Sequence, residues 1–105
     1  MDEMHIKSVL YDEYAKDPTN LCHIGQEISI AIPNCSFTAI NKSHDGIHMD
    51  FTFDPNASFG SKVSENIIKE TFKIFLNDLK VPMNDEALTK AIHITRLPGS
   101  FSIII

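Results

Sequence analysis

The apolar positions of this chain follow two different periods. Over residues 4–16, Ile6, Val9, Leu10 and Tyr14 recur at three- and four-residue spacing, with Met4 and Glu13 beside them, and this predicts an amphipathic helix. Asp2 and Glu3 stand near its start, where carboxylates suit the positive end of a helix dipole. The same residues also alternate (His5, Lys7, Val9 and Tyr11 against Ile6, Ser8, Leu10 and Asp12), so a strand is the competing reading. Asp17-Pro18-Thr19-Asn20 closes the element with turn-forming residues.

From Glu27 the period shortens to two. Ile28, Ile30 and Ile32 alternate with Ser29 and Ala31, which predicts a strand over Glu27–Ile32, ended by Pro33-Asn34. Ser36–Ser43 reads as a second strand. Gly46–Asp54 reads as a third, with Ile47, Met49, Phe51 and Phe53 on one face. Asp45-Gly46 between them is a hairpin signal, because a type I′ turn needs positive φ at both central residues. That turn pairs His44 with Ile47, Lys42 with Met49, Ile40 with Phe51 and Thr38 with Phe53. A turn at Pro33-Asn34-Cys35 then sets Ile30 against Thr38 and Ile28 against Ile40, so the isoleucines join the same face. The expectation is a three-stranded meander with one apolar face. Its other face carries Ser29, Ala31, Phe37, Ala39, Asn41, His48, Asp50, Thr52 and Asp54 and is left open to solvent.

Helical spacing returns at Lys62–Leu79, where Val63, Ile67, Ile68, Phe72, Phe75, Leu76 and Leu79 form a broad stripe, with Ser61 as N-cap and Pro82 as the stop. Asn84 is placed to cap a short helix ending near Ala91, with Asp85 and Glu86 in its first turn. Pro98-Gly99 then turns a final hairpin that pairs Leu97 with Ser100 and Ile94 with Ile103. Ile103, Ile104 and Ile105 run on without alternation, so the last strand must be covered on both faces, either centrally in the sheet or in a dimer.

These elements describe a single α+β domain over residues 1–105. The expected architecture is a two-layer sandwich of about five mostly antiparallel strands packed on one long helix, in the order α-β-β-β-α-α-β-β. That order is similar to that of the class I chaperones of bacterial type III secretion, without their final helix. The resemblance implies a small, acidic, dimeric adaptor pairing through its terminal strands.

Composition supports a globular chain: 105 residues, 43% hydrophobic and 22% charged. No low-complexity tract or sequence repeat interrupts it. No apolar run approaches the roughly 18 residues of a membrane span. The first residues are acidic where a secretory signal would be basic. The expected setting is therefore cytoplasmic, without membrane association, and the 2 cysteines are expected as reduced thiols.

Charge adds a direction. The net charge of −5 is the wrong sign for nucleic acid, and it is unevenly spread. Residues 1–54 hold nine acids against three lysines, whereas residues 55–105 are nearly balanced. An acidic half fits a basic protein partner.

The stretch Ser43–Pro55 poses the chemical question, since His44 and His48 stand four apart among Asp45, Asp50 and Asp54. With Cys22, His23 and Cys35 upstream they could supply zinc ligands, but only His44 and His48 have ligand spacing, and a tight hairpin turns them to opposite faces. A Cys35–His48–Asp50 nucleophile site fails on distance: His48 lies at the far end of its strand from Cys35, well over ~15 Å at ~3.3 Å per residue. Asp50 and Asp54 share a face but stand ~13 Å apart, beyond a glycosidase pair. The glycines are isolated, so no phosphate loop is present. Neither cofactor nor metal is expected.

What remains is an acidic open face. Glu27, Phe37, Asn41, Asp45, His48, Asp50 and Asp54 are expected on it, extended by Asp12 and Glu13 of the first helix: an aromatic anchor among carboxylates. The expected function is a non-enzymatic protein-binding module. Its most concrete form is a small acidic inhibitor or bacterial immunity protein that neutralises a basic toxin such as a nuclease. A dimeric secretion-chaperone-like adaptor is the alternative, and a metal- or cysteine-dependent enzyme ranks below both.

Overall fold

The computed structural model describes residues 3–54 and 62–105. Eight elements follow in order: α1 (Glu3–Lys16), α2 (Thr19–Ala31), β1 (Cys35–Ser43), β2 (Gly46–Phe53), α3 (Lys62–Asp78), α4 (Asp85–Ala91), β3 (His93–Leu97) and β4 (Ser100–Ile104). The fold is α+β, with four helices beside a four-stranded antiparallel sheet of order β1-β2-β4-β3. No helix among the described residues is long and apolar enough to cross a membrane.

The main departure from the sequence expectation is α2. The residues expected as a strand over Glu27–Ile32 are the last turn of a helix that ends at Ala31, with Ile32 as its C-cap, so the sheet has four strands rather than five and the order becomes α-α-β-β-α-α-β-β. The cause is a longer period that overrides the short alternation. Leu21, Ile24, Gly25 and Ile28 are buried at helical spacing, whereas Ile30, counted in the alternation, is 79% exposed. The boundaries agree with this. The Asp17 carboxylate accepts the Thr19 amide at 3.0 Å, Pro18 sits where its missing N–H costs nothing, and Ile32 N–H closes on Ile28 O before Pro33. With the first of the three predicted strands gone, the likeness in element order to the secretion chaperones goes too.

Other elements form as their sequence dictates. In α1, Ile6 and Leu10 are buried and the competing strand reading is lost. Ile68, Phe72 and Leu76 of α3 are fully buried in the core. The proposed Ser61 cap lies outside the described residues. Asn84 Oδ1 accepts the Ala87 amide at 2.7 Å and starts α4, which ends at Ala91. Gly99, with φ 77°, turns the last hairpin, and Leu97–Ser100 and Ile94–Ile103 pair as the turn requires. Strand β4 is central, between β2 and β3, as one of the two expectations had it. Ile103 and Ile105 are buried on the core face, whereas Ile104 lies half-buried on the open face, so the strand is covered on one face and not on both.

The first hairpin is offset by one residue. Ser43 pairs with Gly46, so His44 and Asp45 form the turn, both without the positive φ of a type I′ turn. Lys42 therefore faces Ile47 and Ile40 faces Met49. A bulge at Thr38 then changes the register, so that Phe37 rather than Thr38 joins the core face, opposite Phe51. Burial of the larger apolar ring explains the choice. Phe37 packs on Phe51 with ring centroids 5.2 Å apart and reaches into the space that the missing side chain of Gly25 leaves on α2. The Thr38 hydroxyl, turned out of the core, donates to Asp50 O at 3.1 Å.

The core lies between the sheet and all four helices. Ile47, Met49, Phe51, Phe101, Ile103 and Ile105 point into it, with Phe51 and Phe101 stacked at 4.6 Å. The chain runs ααββ twice, and the order β1-β2-β4-β3 reads the same when the halves are exchanged. One pair of helix contacts follows the same exchange, α2 packing on α3 as α4 packs on α1, whereas the packing of α1 on α2 has no equal between α3 and α4. This repeat is one of topology and has no counterpart in the sequence.

Candidate interaction surfaces

Two surfaces can be weighed. The first is the open face of the sheet. Successive rows across it are Asn41, His48, Ile104 and His93; then Ala39, Asp50, Ser102 and Thr95; then Ser36, Thr52, Ser100 and Leu97. Its chemistry is hydroxyl-rich more than acidic. Asp50, the one carboxylate within its strands, is half-buried and accepts from Ser102 Oγ at 2.8 Å. The ring nitrogen Nε2 of His48 is enclosed and finds no hydrogen-bond partner among the described residues.

The structure divides the predicted site residues among separate surfaces. Asn41, His48 and Asp50 lie on the open face, and Asp54 is exposed just past the end of β2. Asp45 sits in the hairpin turn, 3.0 Å from His44 Nε2. Phe37 is on the core face and is no surface anchor. Glu27 projects from α2 in the helical layer. Asp12 is exposed on α1 beside Lys7 and Tyr11. Glu13 pairs with Lys16 of its own helix at 3.0 Å and ties α1 to α2 by accepting from the Asn20 side-chain amide. The anticipated ring of carboxylates around an aromatic is not assembled.

Nor are the chemical alternatives brought together. Cys35 lies on the core face of β1, whereas His48 and Asp50 lie on the opposite face of β2. Burial pushes the Cys35 thiol up to about 11, away from the thiolate that a nucleophile needs. Among the described residues no three His, Cys, Asp or Glu side chains are grouped to hold a metal ion.

The second surface was not anticipated. Helices α2 and α3 leave between them a groove of about 440 Å³, lined by His23, Ile24, Glu27 and Ala31 from α2 and by Thr71, Ile74, Phe75 and Asp78 from α3. Both sets have helical spacing, so each helix shows the groove a continuous stripe. Ile24 forms the floor, Phe75 is half-buried, and Ile74 is 63% exposed. Ile30 of α2 is a second exposed isoleucine, next to Ala31 in the chain but outside the lining. Neither Glu27 nor Asp78 forms an ion pair among the described residues, whereas nearby Lys73 is held by Asp85 at 2.5 Å and Glu70 at 3.3 Å. Those two carboxylates raise the Lys73 ammonium above its ordinary value, the hydrogen bond it donates to Asp85 most of all. The sequence did carry one signal for this surface. Ile74 falls among Glu70, Lys73 and Asn77, on the polar side of its helix, where an apolar residue has no core to serve.

The terminal strand cannot offer an edge to a second copy, because β2 and β3 use both of its edges. The free edges are β1, which is bulged at Thr38, and the short β3. Comparison with protein-family models, with curated proteins and with solved structures returned no match.

Proposed function

We propose that this chain is a non-enzymatic protein-binding module for a basic protein partner. The observation that carries this reading is the groove between α2 and α3: exposed apolar side chains beside two carboxylates, Glu27 and Asp78, that no cation in the described structure neutralises. Uncovered isoleucines gain by leaving water, and unpaired carboxylates at the margin favour a cationic partner over others. The net charge of −5 acts in the same direction at longer range. In its most concrete form the module is a small inhibitor that occupies the basic site of a toxin such as a nuclease.

The test is capture from the native host on immobilised protein, elution by a salt gradient and identification by mass spectrometry. A basic protein that elutes at moderate salt, and that a Glu27→Lys/Asp78→Lys variant no longer retains, supports the reading. Capture of no basic protein, or retention indifferent to both salt and the double charge reversal, contradicts it.

A further inference from the structure

We infer that the groove between α2 and α3 seats an amphipathic, basic α-helix of the partner. This rests on the binding-module reading above and specifies which kind of segment the partner supplies. Shape is the first argument. The groove is walled by two helices, so its sides are the ridges of α2 (His23, Glu27, Ala31) and α3 (Thr71, Ile74, Asp78). Ridges of this kind accept the side-chain rows of a third helix at interaxial distances of about 8–10 Å. From His23 to Ala31 the wall is about 12 Å long at a rise of ~1.5 Å per residue, which matches about two turns of a docked helix.

Chemistry fixes the pattern on that helix. Ile74, Phe75, Ala31 and the floor at Ile24 require an apolar face, with anchors at i and i+3 or i+4. Glu27 and Asp78 require Lys or Arg on its flanks. The groove lining contains neither lysine nor arginine, and α2 has none along its whole length, so the protein supplies no competing cation from that wall. The open sheet face is poorer in free carboxylates, since Asp50 is the one carboxylate in its rows and is already engaged by Ser102. An extended segment would instead add to a sheet edge at β1 or β3, where none of the groove residues lie.

The full chain, labelled with nitrogen-15, is titrated with a synthetic amphipathic peptide of about 16 residues, leucines at helical spacing and lysines on the flanks, and with a scrambled peptide of the same composition. Saturable amide shifts confined to residues 23–31 and 71–78, with a gain of helical signal in the peptide, are expected. The scrambled peptide should bind at least about tenfold more weakly, and Ile74→Ser and Glu27→Lys/Asp78→Lys should each weaken the ordered peptide by about tenfold or more. Because Ile74, Glu27 and Asp78 are exposed, these variants are expected to keep the wild-type amide spectrum elsewhere.

Equal binding of the scrambled peptide, no saturable binding, or shifts centred on His48, Asp50 and Ser102 or on the edges of β1 and β3 would overturn the inference. The two readings fail separately. A basic host protein that is captured yet indifferent to Ile74→Ser refutes the helical seat and leaves the binding module standing. A peptide seated as described, with no basic host protein captured, refutes the proposed function alone.

Discussion

Gly46 offers a quantitative test of how the two ends of the described fold are joined. Its φ is 129°, a conformation that side-chain-bearing residues rarely adopt, and a Cβ there would press on the main-chain oxygen of Ile105 and come within 2.8 Å of Tyr11 Oη. Those groups form one junction. Tyr11 Oη donates to Ile105 O at 2.8 Å, Ile47 N–H donates to the same oxygen at 3.1 Å, and Ile105 N–H donates to Ile47 O at 2.9 Å. A Gly46→Ala chain therefore carries backbone strain of about 1–3 kcal/mol and loses or distorts a hydrogen bond contributing about 0.5–1.5 kcal/mol. The total is about 2–4 kcal/mol, or a fall in Tm of about 10–20 °C for a domain of this size. Gly99→Ala is the internal control: φ is 77°, and a Cβ there would meet nothing within 4 Å, so strain alone of about 1–2 kcal/mol is expected. Urea unfolding of both variants, with Tyr11→Phe alone and combined with Gly46→Ala, completes the measurement. Tyr11→Phe should cost about 1 kcal/mol in the wild type and clearly less in the Gly46→Ala background, because the bond is already disturbed there. Equal costs for Gly46→Ala and Gly99→Ala, or full additivity with Tyr11→Phe, would refute the junction.

Other expectations follow from the same structure. Phe37→Ala should destabilise the fold by about 2–4 kcal/mol in urea unfolding, because the ring packs on Phe51 and α2; a surface anchor would cost almost nothing. Asn84→Ala should cost about 1 kcal/mol through loss of the cap on Ala87 N–H, read by the same assay. Burial holds the Cys35 thiol neutral to about 11, above its unfolded value, so the unfolded chain loses that proton first. Stability should fall as the pH rises from about 9 towards 11, and a Cys35→Ala chain should show a shallower fall over that window. The same burial predicts slow alkylation of Cys35 by iodoacetamide at neutral pH, followed by mass spectrometry.

The legibility of the fold depended on how far each signal extended along the chain. Seventeen-residue α3 and the Pro98-Gly99 hairpin were readable because a long stripe and an obligate turn leave little choice. Alternation over six residues at Glu27–Ile32 is too short to outweigh the helical spacing of Leu21, Ile24 and Ile28. The first hairpin shows a subtler limit. Asp45-Gly46 does mark a turn, but the glycine is required by the approach of Ile105 and Tyr11, contacts from the far ends of the chain that no local pattern encodes. The bulge at Thr38 likewise follows from what Phe37 can bury against Gly25 and Phe51, and it removed the aromatic from the expected site. Of that site, Glu27 survives on a different surface, beside residues of α3 that only the tertiary fold brings near it.

On the proposed function, recognition belongs to the helical layer and not to the open sheet. The most direct measurement compares the affinity of the captured basic partner for two charge reversals of equal size, Glu27→Lys/Asp78→Lys in the groove and Asp50→Lys/Asp54→Lys at the sheet. The groove reversal is predicted to weaken binding by about tenfold or more and to flatten its salt dependence, with the sheet reversal close to wild type. Loss of binding on the sheet reversal, with the groove reversal still tight, would contradict the account.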